Sequence, residues 1–385
     1  MPKSPLLPIF LIVSVDVLGL TIILPLLPFY AEKYGASPAV VGLLVSSYAL
    51  CQLISGPMLG RWSDHMGRRP LLLVSQLGTF IGFLILAYAN ALWLIFLSRV
   101  IDGLTAGNLS LAQAYISDVT KPEDRAKSFA LIGIAFGMGF LIGPAISGFL
   151  VQYSYQYPIF AAAALSATSI LATYFLLPSG APTAGDPLTP RKFTVLDWGN
   201  YLRYFRRPGL APLLWQFLAF ALTFSMFMSG FPLFAERRFN WHNHPFGPKE
   251  VGYVYAYLGL LGVILQGGLI GKLVKSFGEP NLVRAGFFCG MAGLAVLGFT
   301  YTVPLLLVVT AVASSGMGAV RPALTSLITQ KAARSDQGVV LGLTQSLNSI
   351  AAIAAPAIGG LLIDHSLLSA WALLAAGISG VALFL

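Results

Sequence analysis

The sequence Gly60-Arg61-Trp62-Ser63-Asp64-His65-Met66-Gly67-Arg68-Arg69-Pro70 decides the fold. It places three arginines, an aspartate and a histidine in eleven residues of a chain that is only 10% charged. The apolar runs on both sides, 40–59 and 71–89, are each about as long as a bilayer core is thick, since ~20 helical residues at ~1.5 Å span ~30 Å. We therefore interpret the stretch as a tight turn, the 60–70 turn, between two membrane helices. Gly67 suits the chain reversal, and Pro70 suits the first turn of the next helix.

Composition extends this interpretation to the whole chain. Hydrophobic residues make up 57% of the 385, and the mean hydropathy is +0.80. Soluble chains are nearer 45–50% apolar and about a quarter charged, so the sequence predicts a polytopic membrane protein. We interpret the net charge of +9 as loop charge that orients the chain and not as a nucleic-acid surface. Cys51 and Cys289 fall in apolar runs and are predicted to be packing residues, with no disulfide, metal site or cofactor expected.

The fold class predicted from hydropathy is all-α, with twelve transmembrane helices in two six-helix bundles. We expect the bundles at residues 1–178 and 210–385, joined by a cytoplasmic linker at 179–209. Within the linker, residues 195–205 interleave aromatic residues with Arg203. This segment is either an amphipathic element on the membrane surface or a flexible linker. The predicted spans are 6–31, 38–59, 71–89, 92–116, 127–151, 158–177, 210–234, 248–270, 282–301, 303–329, 337–362 and 366–385.

The distribution of lysine and arginine predicts the orientation. Of the 23 such residues, seventeen lie at the N-terminus or in the even-numbered turns, and four lie in the odd-numbered turns. Arg99 and Arg321 lie inside spans. Since cytoplasmic loops carry the excess of positive charge, we expect both termini and the 60–70 turn in the cytoplasm. The chain is thus expected to be a multi-pass protein of the plasma membrane, the inner membrane in a bacterium.

The two halves repeat. Gly60 and Gly67 fall on Gly271 and Gly278 at a shift of 211, and the run 143–150 falls on 355–362 at a shift of 212. Two parallel six-helix repeats are an architecture of secondary transporters, which hold substrate near the bilayer midplane between the halves. The charges do not repeat, because Lys275 stands at the position of Asp64 and Glu279 at that of Arg68.

Four motifs lie in the same order as in a known family. They are Asp16, Gly19 and Pro25-Leu26-Leu27-Pro28 in the first span; Gly60, Asp64, Gly67, Arg68 and Arg69 in the 60–70 turn; Arg99, Gly103 and Gly107 in the fourth span; and Gly139, Gly143, Pro144 and Gly148 in the fifth. In the fifth span, Ser147 stands where a glycine is usual. Through these motifs the chain resembles the major facilitator superfamily, specifically its drug:proton antiporter branch, with the tetracycline exporters nearest.

The resemblance implies proton-driven export of a small amphiphilic compound by alternating access, with Asp16 as the main protonation site and Arg99 as its modulator. Both lie at intermediate depth and could meet. The alternative is a static ion pair that merely holds the first and fourth spans together. The Asp64, Arg68 and Arg69 side chains would form a cytoplasmic gate.

The glycines of the fifth span are expected at the interface of the halves. There they would lie opposite Pro356 and Gly359 of the eleventh span, where close packing would limit leak.

Other polar residues are candidates for the substrate cavity. Asp102 lies one turn from Arg99 and is either its partner, a second proton site or a ligand for a cationic substrate. Arg321 lies about nine residues from the cytoplasmic end of the tenth span. It could hold an anionic substrate, pair with a carboxylate such as Asp102, or satisfy carbonyls at a proline kink. Further cavity candidates are Gln52, Asn108 and Gln113.

One departure argues against tetracycline itself. The exporters of this branch carry ionisable residues in helices 3, 8 and 9, whereas the matching positions here are Gly82, Gly262 and Gly290. The coupling motifs match and the substrate chemistry does not.

Two other functions remain open from the sequence. One is a facilitator, or a transporter of an organic anion, sugar or lipid, that uses Arg321. The other is a transporter-like receptor or interaction protein. The expected partners are a small-molecule substrate, protons and membrane lipids, and we expect a monomer that binds no nucleic acid. No nucleotide loop or nucleophile–base set appears in the sequence, so an enzyme is not expected.

Overall fold

The computed structural model describes residues 6–120, 125–177, 203–332 and 337–385. The predicted linker lies outside the described residues except for 203–209. The described chain is almost wholly helical, with one short hairpin. Its elements are α1 Leu6–Ile23, α2 Leu27–Glu32, α3 Pro38–Met66, α4 Arg68–Ala87, α5 Leu92–Leu104, α6 Asn108–Val119, α7 Arg125–Leu150, α8 Gln156–Leu176, α9 Ala211–Arg238, β1 Asn240–Trp241, β2 His244–Pro245, α10 Pro248–Ile264, a π-helical turn Leu265–Leu269, α11 Ile270–Phe277, α12 Glu279–Leu297, α13 Val303–Lys331, α14 Gln337–Asp364 and α15 Leu368–Leu383.

The predicted all-α membrane fold is confirmed. Within the described residues, eleven helical segments are long and apolar enough to cross a bilayer, and Leu368–Leu383 is a shorter apolar helix at the twelfth predicted position. Large apolar side chains such as Trp93, Phe175 and Val381 are exposed on the surface of the protein. Lipid tails solvate such side chains where water would not, so the protein is a multi-pass membrane protein.

Two predicted spans are interrupted. The first divides into α1 and α2 at residues 24–26, because Pro25 and Pro28 each lack the N–H that a continuous helix would use. The fourth divides into α5 and α6 between Gly103 and Gly107.

The break between α5 and α6 is satisfied by neighbouring serines. The N–H of Gly107 donates to Ser75 Oγ at 2.9 Å. The Ser75 hydroxyl in turn donates to the carbonyl of Thr105. Ser55 Oγ donates to the carbonyl of Gly103 at 2.7 Å. An unwound backbone is tolerated at membrane depth only when protein groups replace the missing hydrogen bonds, as they do here.

The chain forms two compact units. The first comprises Met1–Tyr34 and Ser47–Leu196, and the second Gly35–Ser46 and Asp197–Leu385. In the first, α1 packs against α7 and α8, and α4 against α5 and α8; in the second, α9 packs against α14, and α12 against α13 and α15. The domain boundaries at 178 and 210 stay a prediction.

The start of α3 groups with the second unit through close packing. Ser46 Oγ donates to the carbonyl of Ile353 at 2.6 Å. A Cβ at Gly42 would lie 3.0 Å from the carbonyl carbon of Pro356, so only glycine fits there.

The internal repeat is visible in the backbone. Gly67 has φ 92° and ψ 155°, and its counterpart Gly278 has φ 73° and ψ 156°. A positive φ of this size strongly favours glycine, which is the conformational freedom predicted for Gly67. The π-helical turn Leu265–Leu269 contains Gly267 and Gly268, which fall on Gly56 and Pro57 inside α3 at the same shift of 211. Both halves therefore weaken the helix at the same level, one with proline and the other with glycines.

Candidate proton and substrate site

Asp16, on α1, is held by two neutral side chains of the first unit. Its carboxyl interacts with the polar side chains of Gln76 on α4 and Ser169 on α8. Gln76 Nε2 also donates to Ser169 Oγ at 2.8 Å, and both of these residues are fully buried. Since Ser169 Oγ accepts from Gln76, its own hydrogen is free for the carboxylate. The three side chains thus form a compact network across α1, α4 and α8.

No cation pairs with Asp16 in the described part of the chain. Its Oδ2 is buried and has no hydrogen-bond partner there. Asp16 and Arg99 therefore form no ion pair in this structure, which argues against a static pair between them, and their role in proton coupling stays a prediction. A buried carboxylate that has only neutral donors is expensive to keep ionised, and taking up a proton removes that cost. The environment of Asp16 suits a group that exchanges protons.

Arg99 pairs instead with Asp102 on its own helix, α5. Arg99 Nη1 lies 3.1 Å from Asp102 Oδ2, and each residue is 4% exposed. Asp102 also accepts a hydrogen bond from Thr79, and the Arg99 guanidinium lies 5.8 Å from the ring centre of Phe83. Of the three roles considered for Asp102, the structure shows the first, since Asp102 is the ion-pair partner of Arg99. The i, i+3 spacing puts both on one helix face, so the pair needs no particular rotation of a second helix.

The Asp16 network and the ion pair are electrostatically linked. Asp102 interacts with Asp16 through charge repulsion, and Tyr48 interacts with both members of the ion pair. Gln52 Nε2 donates to the hydroxyl of Tyr48 at the long distance of 3.4 Å, which places this cavity candidate beside the pair. A change of charge at one carboxyl is therefore felt at the other.

The remaining cavity candidates of the first unit lie past the break in the fourth span. Asn108 begins α6, and its buried Oδ1 has no hydrogen-bond partner among the described residues. Gln113 lies further along α6 and is exposed. Neither is on the helix that carries Arg99 and Asp102.

Glycine at position 82 makes room for Asp102. A Cβ at Gly82 would lie 3.2 Å from the Asp102 Cβ and 3.1 Å from the carbonyl oxygen of Ser98. Gly290 is similarly confined, since its Cβ would lie 2.7 Å from Met317 Sδ. At Gly262, by contrast, no described atom lies within 4 Å of a built Cβ. Two of the three positions noted in the sequence are therefore glycine because neighbouring side chains fill the space.

Arg68 in the 60–70 turn joins two carboxylates. Its Nη1 lies 2.5 Å from Asp64 Oδ1 and its Nε 2.8 Å from Asp118 Oδ2, at the end of α6. Arg68 Nη1 also donates to Ser63 Oγ at 2.5 Å. Arg69 reaches α8, where it donates to the carbonyl of Tyr174 and lies 5.2 Å from its ring centre. The turn thus clamps the ends of α3, α4, α6 and α8.

The matching turn of the second unit makes the corresponding contact with other chemistry. Gln330 Nε2 donates to Glu279 Oε2 at 2.9 Å. Glu279 corresponds to Arg68 at a shift of 211, and Gln330 corresponds to Asp118 at a shift of 212. The repeat therefore keeps the contact between helices and replaces the ion pair with a hydrogen bond between exposed groups.

The fifth-span glycines face α1. A Cβ at Gly143 would lie 3.0 Å from the backbone carbon of Thr21, and Thr21 Oγ1 donates to the carbonyl of Gly139 at 2.8 Å. These contacts lie within the first unit, and the expectation that the glycines lie opposite Pro356 and Gly359 stays a prediction. Gly359 packs beside Trp371, where its Cβ would lie 3.1 Å from Nε1. Pro144 and Gly148 are buried in α7 with them.

Arg321 lies on α13, and its side chain is exposed within the second unit. Across the described ranges it makes no side-chain hydrogen bond or ion pair. The pairing of Arg321 with Asp102 stays a prediction; within the first unit, Asp102 is paired with Arg99. Its following residue, Pro322, lies inside the helix.

Sequence reasoning missed several residues of these sites. Gln76, Thr79 and Ser169 hold the carboxylates, and Asp118 completes the clamp of the turn. A signal existed for Ser169, since Ser166, Ser169 and Thr173 are polar residues on one face of an apolar span, and all three are buried.

The fold and the buried charges define a membrane transporter that moves small molecules. A family model described as Major Facilitator Superfamily matches residues 9–356. The chain belongs to this superfamily, as its motifs indicated.

Curated relatives and solved structures agree with this assignment. The tetracycline resistance protein of class B from Escherichia coli is 31% identical over 92% of this chain and 88% of its own length. Multidrug resistance protein 2 of Bacillus subtilis is 28% identical over 91% of this chain and 87% of its own. The fold is similar to a crystal structure of a variant of the nucleoside transporter NupG, with a TM-score of 0.81 at 16% identity, covering 99% of this chain and 98% of that one.

Proposed function

We propose that this transporter exports a small amphiphilic compound in exchange for protons, with Asp16 as the proton-carrying group. The observation that carries the proposal is the environment of Asp16. Its Oδ2 is buried without a hydrogen-bond partner, the side chains of Gln76 and Ser169 lie beside the carboxyl, and no cation lies at ion-pair distance among the described residues. Such a group can be neutral or ionised with the same neighbours, which a carrier of protons requires.

The Arg99–Asp102 pair would make the protonation of Asp16 depend on the conformation of the transporter. The two charges neutralise each other in a buried site, so Asp16 experiences only a residual field from them. Water reaching the cavity would screen the pair and stabilise an ionised Asp16, and closure would restore the low dielectric and favour its protonation. Alternating access to the two sides would then load and release a proton. A bound cationic substrate could substitute for that proton.

The transported compound is proposed from the relatives and the local chemistry. The relatives are named for resistance to tetracycline, to multiple drugs or, in the quinolone resistance protein NorA of Staphylococcus aureus, to quinolones. The space beside Gly82 is occupied by Asp102 and that beside Gly290 by Met317, so an ionisable side chain is absent at positions 82 and 290 themselves. We expect an amphiphilic drug of the multidrug type to be a better substrate than tetracycline.

The 60–70 turn is proposed to bias the conformation and not to bind substrate. Arg68 and Arg69 tie the ends of four helices of the first unit. With the termini in the cytoplasm, as the lysines and arginines predict, this clamp lies at the cytoplasmic face.

Transport in proteoliposomes tests the proposal. Purified protein would be reconstituted and the uptake of norfloxacin and tetracycline followed with and without an imposed pH gradient. We expect the gradient to accelerate uptake of norfloxacin and Asp16→Asn to remove that acceleration. Uptake that ignores the gradient, together with full activity of Asp16→Asn, would refute proton coupling.

A second function is favoured by Arg321, which is exposed and makes no side-chain bond in the described part of its unit. An intramembrane arginine of this kind suits recognition of an organic anion by a uniporter. Uptake of an anionic dye such as carboxyfluorescein would test it. Loss of that uptake in Arg321→Gln, with no dependence on the pH gradient, would favour this function over antiport.

A further inference from the structure

A cavity outside the proton site lies within the second unit, where the end of α9, the α12–α13 connection and the start of α15 meet. Its volume is about 770 Å³ including its open mouth. The only charged lining residues are two consecutive arginines. The lining comprises Arg237, Arg238, Tyr301, Ser366, Leu367, Leu368, Ser369 and Ala370.

Arg238 is fixed in place in this cavity. Its Nη2 donates to Ser369 Oγ at 2.9 Å and to the carbonyl of Gly298 at 3.2 Å. Its guanidinium lies 4.5 Å from the ring centre of Tyr301. The buried Nε nevertheless has no hydrogen-bond partner in the described part of the chain. The hydrogen bonds of Nη2 and the ring of Tyr301 therefore hold the guanidinium in one orientation at the cavity, where its charge can attract an anion.

Arg237 adds a second, more exposed guanidinium. Its Nη1 donates to the carbonyl of Leu233 at 3.2 Å and pairs with Glu236 Oε2 at 2.9 Å. Glu236 neutralises one of the two arginines without lining the cavity. The lining therefore keeps an excess of positive charge.

The first turn of α15 contributes further donors. The N–H of Leu367 donates to the carbonyl of Leu362. The next N–H along the chain that donates to a backbone carbonyl is that of Trp371, which donates to Leu367. The N–H groups of residues 368–370, which line the cavity, have no backbone acceptor in the structure as described. The start of a helix attracts anions through such free N–H groups.

Large apolar side chains are exposed at and beside the rim of the cavity. Tyr301 is 68% exposed and Leu367 49% exposed, and Phe299 is exposed beside them. A cationic floor under an exposed apolar rim fits an anionic head group that carries acyl chains better than it fits a fully soluble ion.

We propose that this cavity binds a phosphate ester, supplied by an anionic membrane lipid, through Arg237, Arg238 and the start of α15. By the distribution of lysine and arginine, the turns that form it lie on the face opposite the cytoplasm. The site is separate from Asp16 and does not depend on which compound is transported.

Lipid titration of the purified full-length protein in a neutral detergent tests the site. Phosphatidylglycerol, phosphatidylcholine and sodium phosphate would be titrated separately, with bound lipid counted by native mass spectrometry. We expect phosphatidylglycerol to bind more tightly than phosphatidylcholine. Arg237→Gln should weaken it about fivefold, and Arg237→Gln/Arg238→Gln about 25-fold, as about 1 kcal/mol per cation implies.

Lys249→Gln is the matched control, because Lys249 lies in the same turn region but does not line the cavity. It should leave the affinity unchanged. Because Arg238 also holds Ser369, the double variant could misfold, in which case Arg237→Gln carries the test alone. If sodium phosphate binds and Arg237→Gln weakens its binding, while phosphatidylglycerol does not bind, the site binds soluble phosphate and the assignment to a lipid is wrong. Equal binding of phosphatidylglycerol by the wild type and Arg237→Gln would overturn the proposal.

Discussion

Removing one member of the Arg99–Asp102 pair should destabilise the first unit strongly. Both side chains are almost fully buried, and the atoms Nη1 and Oδ2 lie 3.1 Å apart. Asp102→Asn leaves the Arg99 guanidinium buried without its counter-charge, and Arg99→Gln does the reverse to Asp102. Breaking a buried pair in this way typically costs about 3–5 kcal/mol. The hydrogen bond from Thr79 and the ring of Phe83 remain in Asp102→Asn, so we expect the lower end, about 3 kcal/mol.

A double-mutant cycle identifies the partner of Arg99. In Arg99→Gln/Asp102→Asn neither charge is left unpaired, so we expect the double variant to lose clearly less stability than the sum of the single changes, with a coupling of about 2 kcal/mol. The free energy of unfolding would be measured on detergent-solubilised protein by denaturant titration. The cycle of Arg99→Gln with Asp16→Asn should show a smaller coupling, because Asp16 makes no ion pair with Arg99 and is affected by its loss only through the charge of Asp102.

Asp364→Asn is the control for loss of a carboxylate, because Asp364 is exposed at the end of α14. It should change stability by no more than about 0.5 kcal/mol. Additivity of the Arg99 and Asp102 changes, or a stronger coupling of Arg99 to Asp16 than to Asp102, would refute the pairing described above.

Two further predictions concern backbone space and the 60–70 turn. Gly82→Ala should destabilise the protein by about 1–3 kcal/mol, because the added Cβ would crowd Asp102. Gly262→Ala is the control, since open space surrounds Gly262, and it should change stability by no more than about 0.5 kcal/mol. Thermal unfolding of the two variants and the wild type measures the difference. Asp64→Asn should slow drug uptake by proteoliposomes up to about fivefold and leave drug binding unchanged. The partly exposed ion pair between Asp64 and Arg68 contributes at most about 1 kcal/mol, which sets this limit. Lys275→Asn, the matching change in the second unit, should have less effect. Equal slowing by these two variants would show that the asymmetry between the turns has no functional meaning.

Most of the fold could be predicted from the sequence because each apolar run has the length of a bilayer crossing. The interior breaks could not. The gap between α5 and α6 depends on Ser55 and Ser75, which supply hydrogen bonds from other helices. Nothing local to Gly103 and Gly107 shows that those serines are in reach.

The site shows the same division. Residue type identified Asp16, Arg99 and Asp102, because a charge at membrane depth is rare and costly. Depth alone does not fix the direction in which a side chain points around its helix, so it did not show that Arg99 pairs with Asp102 and not with Asp16 in this structure. The i, i+3 spacing of Arg99 and Asp102 was the stronger signal, since a local pair survives any rotation of the neighbouring helices.

The asymmetry of the two turns is sharper in the structure than in the sequence. Sequence alignment showed that Arg68 is replaced by Glu279. The structure adds that their partners Asp118 and Gln330 also occupy corresponding positions, so a whole contact was exchanged. Among the described residues, the contact is made by ion pairs in the first turn and by a hydrogen bond between an amide and a carboxylate in the second, which is why we expect the conformational role in the first turn.

Proton release on drug binding tests the central claim most directly. Norfloxacin would be added to purified protein in weakly buffered detergent solution, and the pH followed with an indicator dye. We predict that the wild type and Asp64→Asn release protons on binding and that Asp16→Asn binds the drug without release, because the drug and the proton then no longer share a carboxyl. Proton release that persists in Asp16→Asn would contradict the assignment of Asp16 as the proton carrier.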